Sequence, residues 1–113
     1  MIKQGDIYWV TFRAPDKRHP VVVLTRNNAI RYLSSITVAP ITTTLRGVGS
    51  RVHLTPDDGV LEVCEVNLDS VQTLDKSKLE RYITHLSDKK MMEICRAIQY
   101  ALGFDDYILE ELE

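Results

Sequence analysis

Three features of the chain predict a mainly β fold with a helix at its C-terminal end. Short runs of β-branched and aromatic residues follow one another over residues 6–86, turn signals separate them closely, and the apolar spacing becomes helical only after Ser87. Short strands so closely spaced suit a strongly curved small barrel better than a flat open sheet. With 113 residues, 44% apolar and 27% charged, the chain is expected to form one domain over residues 1–113, and disorder or low complexity is excluded.

The first strand is expected over Asp6–Phe12, which is rich in aromatic and β-branched residues and ends near Pro15. A polar, basic loop, Arg13–His19, follows. Pro20 opens Val21-Val22-Val23-Leu24-Thr25, continuous enough to be a central strand buried on both faces. Ser35–Thr42 is the third strand, and Pro40 within it calls for a bulge or an edge, because proline has no N–H for the ladder. Shorter strands are expected at Arg51–Leu54, Glu62–Val66, Ser70–Leu74 and Tyr82–Leu86, with a turn at Thr55-Pro56-Asp57-Asp58-Gly59. Ser87 is a good helix N-cap. Met91, Ile94, Cys95, Ile98 and Leu102 then recur on one helix face, with the methionines as core packing, and Gly103 stands where a C′ glycine would close the helix. The acidic stretch Phe104–Glu113 can form a short second helix.

Cys64 and Cys95 form no C-x-x-C and have no histidine at ligand spacing, so neither a disulfide framework nor a zinc site is expected. The start of the chain has no apolar stretch behind a basic cap, and Val21–Leu24 falls far short of the ~20 residues a membrane span needs. A reduced, cytoplasmic protein without membrane association is the expectation. The formal charge of −2 conceals an asymmetry: residues 1–54 carry eight basic side chains against two acidic ones, so the basic half can attract a polyanion.

A phosphate-cradling glycine loop, H-E-x-x-H, G-x-S-x-G and a carboxylate cluster suited to magnesium are all missing from the sequence, and no cofactor is expected. His53, in a strand pattern, and His85, just before the helix, read as surface or structural side chains. His19 differs in its company, since it follows Lys17 and Arg18 and precedes the central strand. Thr42-Thr43-Thr44-Leu45-Arg46 offers hydroxyls, backbone N–H groups at a strand end and a guanidinium, which together suit a phosphodiester.

Five blocks, in order, resemble the MazF/PemK family of toxin endoribonucleases from type II toxin–antitoxin pairs. They are Gly5–Val10, Pro20–Leu24, Val38–Thr44, Asn67–Lys76 and the helix end Ala101-Leu102-Gly103. The resemblance implies a compact, SH3-like antiparallel β-barrel with a C-terminal helix, a homodimer, and metal-independent cleavage of single-stranded RNA. In that chemistry the substrate's 2′-hydroxyl attacks its own 3′-phosphate, leaving a 2′,3′-cyclic phosphate and a 5′-hydroxyl. The implied protein partner is a cognate antitoxin, whose acidic and apolar segment would land on the basic first half.

By the same resemblance, Thr42 matches the family threonine that contacts the scissile phosphate, and Asp69 an acidic position used for substrate contact. The family places an arginine immediately before the proline of the second strand, where this chain has His19. The preceding loop also lacks the family's Gly-Ser-Glu stretch, so Arg18 is expected to shift inward. Arginine is a fixed charge and a poor base, whereas an imidazole, with an ordinary pKa of ~6.5, can accept or donate a proton at working pH. His19 is therefore expected as general acid or base, Arg18 as charge stabiliser and Thr42 as phosphate positioner. Thr43, Thr44, Arg46, Asn67, Ser70 and Gln72 are expected to read bases. The competing reading is a toxin-fold module that binds antitoxin, gyrase or single strands without cutting; against gyrase, the chain ends in Ile108–Glu113 without a tryptophan.

Overall fold

The computed structural model describes residues 1–12 and 18–112. Its sheet is arranged around the strand Ser35–Thr42 (β3), the longest of seven. On one edge β3 pairs with Arg18–Val23 (β2), in the register Val21↔Pro40, Val22↔Ala39 and Val23↔Val38. On its other edge it changes partner. Ser35–Val38 pair with Gln72–Asp75 (β6), and Ile41 and Thr42 pair with Cys64–Asn67 (β5). Pro40, with no N–H to donate, falls in the gap between those two partners, so the bulge-or-edge expectation is met by a sheet corner. Asp6–Thr11 (β1) joins β2 to Tyr82–His85 (β7), and Arg51–Leu54 (β4) lies beyond β5. All pairs are antiparallel, and the order β4-β5-β3-β2-β1-β7 curls into a half-barrel.

Alternation along the strands separates two apolar clusters. Ile7, Val22, Ala39, Ile41, Leu54 and Val66 belong to one; Val10, Val21, Val23, Ile36 and Val38 belong to the other. Val21, Val22 and Val23 are each 0% exposed, as expected of a central strand, and burying each such side chain contributes roughly 1.5–3 kcal/mol. The helix Asp88–Ala101 (α2) covers the first cluster by packing on β4 and on the turn Leu68–Ser70.

The helix ends follow the sequence. The Ser87 hydroxyl accepts the Lys90 N–H at 3.2 Å. At the other end Gly103, with φ of 75°, gives its N–H to the Tyr100 carbonyl while Phe104 gives its own to Gln99, which is a Schellman closure. The buried stripe is rotated from the one expected. Ile94 and Ala97 are buried, with Met91, Ile98 and Ala101 packed beside them, whereas Cys95, Met92 and Leu102 are exposed. Two of the packed residues, Ala97 and Ala101, are alanines, which a pattern of large apolar residues does not register.

Other boundaries shift slightly. β2 begins at Arg18, so His19 lies in a strand rather than in the loop, and β5 begins at Cys64. Residues 68–70 form a 3-10 turn before β6. A four-residue helix, Asn27–Ile30 (α1), was not expected, and Asp105–Leu112 (α3) is the second helix the acidic stretch allowed. Arg13, Pro15 and Lys17, cited in the sequence reading, lie outside the described residues. Among the described residues no helix is long and apolar enough to cross a membrane.

Candidate active site

The open start of β2 and the end of β3 meet at a groove of about 570 Å3. Trp9, Pro20, Ile41, Val60, Cys64 and Ile83 give it an apolar floor; Arg18, His19, Thr42, Thr43, Glu62 and Arg81 supply its polar groups. Thr42 is the last residue of β3, where the chain leaves the sheet. Its hydroxyl oxygen accepts the Thr44 N–H at 3.1 Å, which leaves the hydroxyl hydrogen free to donate.

Arg18 is held on two sides. Its guanidinium lies 4.6 Å from the centre of the Trp9 ring, a cation–π contact, and its Nε is 3.4 Å from Glu80 Oε1. Glu80 is itself fixed by the Thr11 hydroxyl at 2.9 Å. The pairing Thr11↔Arg18, Val10↔His19, Trp9↔Pro20 puts Arg18 on the Trp9 face and turns His19 to the opposite face, where its ring lies 6.0 Å from that of Phe12. Counting on two residues from Val21↔Pro40 sets His19 opposite Thr42 across the β2–β3 boundary, so imidazole and hydroxyl share one face.

Cys64 is the groove's other reactive group. Burial, and then the carboxylates of Glu62 and Asp58, push its thiol up to about 11, so it stays protonated at neutral pH and is no thiolate nucleophile. Among the described residues, no three His, Cys, Asp or Glu side chains are grouped as a metal ion would need.

Residues 3–102 match the model of the PemK-like, MazF-like toxins of type II toxin–antitoxin systems. The chain belongs to this family. It is 40% identical over 100 residues to the probable endoribonuclease MazF5 of Mycobacterium tuberculosis, covering 88% of this chain and 91% of that protein. It is 36% identical over 90 residues to the endoribonuclease MazF3 of the same organism, with 80% and 87% covered. Among solved structures, the M. tuberculosis toxin MazF-mt6 superposes with a TM-score of 0.79 at 33% identity, over 87% of this chain and 96% of that one. A mycobacterial endoribonuclease solved in complex with its cognate antitoxin superposes with a TM-score of 0.81 at 25% identity, over 91% and 96%.

Of the residues singled out from the sequence of this MazF-like toxin, Arg18, His19, Thr42 and Thr43 line the groove. Thr44 and Arg46 follow on the exposed loop just beyond it. Asn67, Asp69, Ser70 and Gln72 are not among its lining residues. Asn67 accepts the Asp69 N–H and donates to the Ser70 hydroxyl, and Asp69 accepts the hydroxyl of buried Ser50, so Asn67, Asp69 and Ser70 build the turn between β5 and β6, while Gln72 is exposed at the start of β6. His53 and His85 lie outside the groove, as read. The His53 carbonyl accepts from Lys90, and the His85 ring is 2.8 Å from the buried Asp6 carboxylate.

Trp9, Arg81, Tyr82 and Glu62 were missed by the sequence reading. Trp9 and Arg81 meet because the Trp9 N–H donates to the Arg81 carbonyl across the β1–β7 boundary, a pairing between residues 72 positions apart in the chain. The available signal was a cation followed by an aromatic at the start of a short strand, which is too common to single out.

Proposed function

We propose that this MazF-family toxin is a metal-independent endoribonuclease that cuts single-stranded RNA by intramolecular transesterification, residues 1–113 acting as one toxin domain. The 2′-oxygen bonds to phosphorus, the bond from phosphorus to the 5′-oxygen breaks, and the products are a 2′,3′-cyclic phosphate and a 5′-hydroxyl. One proton leaves the 2′-hydroxyl and one reaches the departing 5′-oxygen. The nucleophile belongs to the substrate, so the protein needs only a proton acceptor, a proton donor and groups that stabilise the charge growing on the phosphoryl oxygens. DNA, lacking the attacking hydroxyl, is a ligand at most.

The observation that carries this reading is that Thr42, His19, Arg18 and Arg81 all border one groove at the open strand ends, Arg18 from the Trp9 face and His19 with Thr42 from the other. Thr42 donates its free hydroxyl hydrogen to a phosphate oxygen. His19 moves a proton. Arg18, steadied by Trp9 and Glu80, and Arg81, which also lines the groove, provide fixed positive charge. The exposed residues Thr43, Thr44, Arg46 and Gln72 are the side chains left for contacting bases. Following its mycobacterial relative, the toxin binds a cognate antitoxin, and it works as a homodimer in the cytoplasm.

Mapping ends on a long RNA incubated with the toxin in chelator tests the reading. Cuts at short sequences bearing cyclic phosphate are expected. Intact RNA, with antitoxin binding retained, would instead support the non-cutting module, which the histidine standing in the family's arginine position favours.

A further inference from the structure

The turn that carries Thr42 is held by a buried carboxylate. Glu65 is 3% exposed and is the direct cross-strand partner of Thr42 in the β3–β5 ladder. It is not among the groove-lining residues. Its Oε1 accepts the Arg46 N–H at 3.0 Å and Arg51 Nη1 at 3.2 Å, and its Oε2 accepts the Gly47 N–H at 3.0 Å. The same Arg51 nitrogen reaches the Thr44 carbonyl at 3.3 Å. Successive N–H groups at Arg46 and Gly47 thus converge on one carboxylate, in a concavity that the left-handed φ of 62° at Gly47 allows.

These contacts close a path to the proposed reacting centre. Thr44 is fixed at both ends, its N–H on the Thr42 hydroxyl and its carbonyl on Arg51. Arg51 is fixed by Glu65, and Glu65 also anchors the two residues that follow Leu45. Residues 43–49 are exposed, so side-chain burial contributes little to their order. Burial alone would raise the Glu65 carboxyl, but the two backbone N–H groups and the Arg51 guanidinium outweigh it and hold the group below the usual carboxylate range. Glu65 is therefore an anion at neutral pH, with both oxygens engaged, and a poor proton acceptor for substrate.

We infer that Glu65, acting with Arg51, is a positioning residue for RNA cleavage: it sets the Thr42–Thr44 turn so that the Thr42 hydroxyl points at the phosphate, without itself touching RNA. The inference rests on the role given to Thr42 above. Charged groups buried away from a groove can serve stability alone, so the test must separate turnover from folding and from binding. Glu65→Gln keeps the volume but turns an amide NH2 toward one of the two backbone N–H donors. Arg51→Lys keeps a cation beside Glu65 but removes the planar guanidinium whose Nη1 bonds both Glu65 and the Thr44 carbonyl.

Each folded variant is assayed for its single-turnover cleavage rate with toxin in excess. Its affinity is measured on an RNA carrying a 2′-deoxy sugar at the cleavage site, which binds but is not cut. Because small misplacements of a reacting group are costly in rate, Glu65→Gln should lose about tenfold or more in rate, Arg51→Lys less, and both should keep the Kd within about threefold. Equal rates in wild type and both variants, or a rate loss matched by an equal loss of affinity, overturn the inference. If Glu65→Gln does not fold, Arg51→Lys decides it alone. Wild-type toxin that leaves RNA whole, or Thr42→Ala cleaving like wild type, instead overturns the proposed function, and this inference with it.

Discussion

The Thr44 backbone N–H and the Thr42 hydroxyl oxygen are hydrogen-bonded at 3.1 Å, which fixes the direction in which the Thr42 hydroxyl can donate. A donor aimed in advance at developing negative charge is worth far more than one that must be reoriented during the reaction. Thr42→Ala and Thr42→Val should therefore lower the cleavage rate by about 100-fold, the loss typical of one such donor, while Thr42→Ser, which keeps the hydroxyl, should retain most of it. Rates on a short RNA oligonucleotide decide this; equal activity in Thr42→Val and wild type would remove Thr42 from the site.

His19 separates charge from proton transfer. Imidazole changes charge between pH 5 and 8, whereas a guanidinium stays charged throughout. His19→Ala should lose most of the cleavage activity. His19→Arg, which installs the family's residue, should recover part of that loss but with a flatter pH–rate profile. Identical profiles in His19→Arg and wild type would mean that position 19 supplies charge and moves no proton.

Arg18 and Arg81 are expected to act on affinity through phosphate charge. Removing one phosphate contact to single-stranded RNA should reduce the slope of log K against log salt by about 0.7. Arg18→Ala and Arg81→Ala should each show that reduction in binding titrations across salt concentrations. A variant with the wild-type slope would place its arginine off the RNA path.

Local pattern carried much of this architecture, and the reason is visible in individual residues. Val21–Val23 had to be central because three successive valines cannot alternate with solvent, and Ser87 and Gly103 bracket α2 through chemistry that acts within four residues of each end. The rotation of the buried stripe on α2 was missed because Ala97 and Ala101 pack where Cys95 and Leu102 were expected, and the short α1 is too brief to show a period. The candidate site divided in the same way. Thr42, His19 and Arg18 belong to local blocks, but Arg81 reaches Trp9 only through β1–β7 contact, and Glu65 serves Thr42 only through the β3–β5 ladder. Such neighbours are set by topology, which no short window of sequence encodes.

Gly59 and Gly47 both have left-handed backbones, with φ of 98° and 62°, but their surroundings differ. A Cβ at Gly59 would overlap the Thr84 hydroxyl on β7, while one at Gly47 would meet nothing within 4 Å. Gly47→Ala should cost about 1–2 kcal/mol, the conformational term alone. Gly59→Ala adds a steric conflict with a strand bordering the groove and should lower the Tm distinctly further. Thermal unfolding of the two variants side by side checks this, and equal losses would show that β7 yields to the new methyl group.

Glu65 also gives the fold a signature in acid. Its carboxyl is held below the usual range when folded, so the unfolded chain takes up the proton first as pH falls. The stabilisation is complete above the ordinary carboxylate pKa of about 4.3 and is lost as pH drops through the lower folded value. Replacing Glu65 by Gln leaves Arg51 partly buried without its carboxylate, a change that costs about 3–5 kcal/mol for a buried pair at neutral pH. The gap in stability between wild type and Glu65→Gln should thus be widest near pH 7 and narrow progressively below the ordinary carboxylate pKa of about 4.3, as the unfolded wild-type chain takes up the proton. Urea titrations at several pH values measure that gap, and a gap constant from pH 7 to pH 3 would mean that the Glu65 charge contributes nothing to holding the turn.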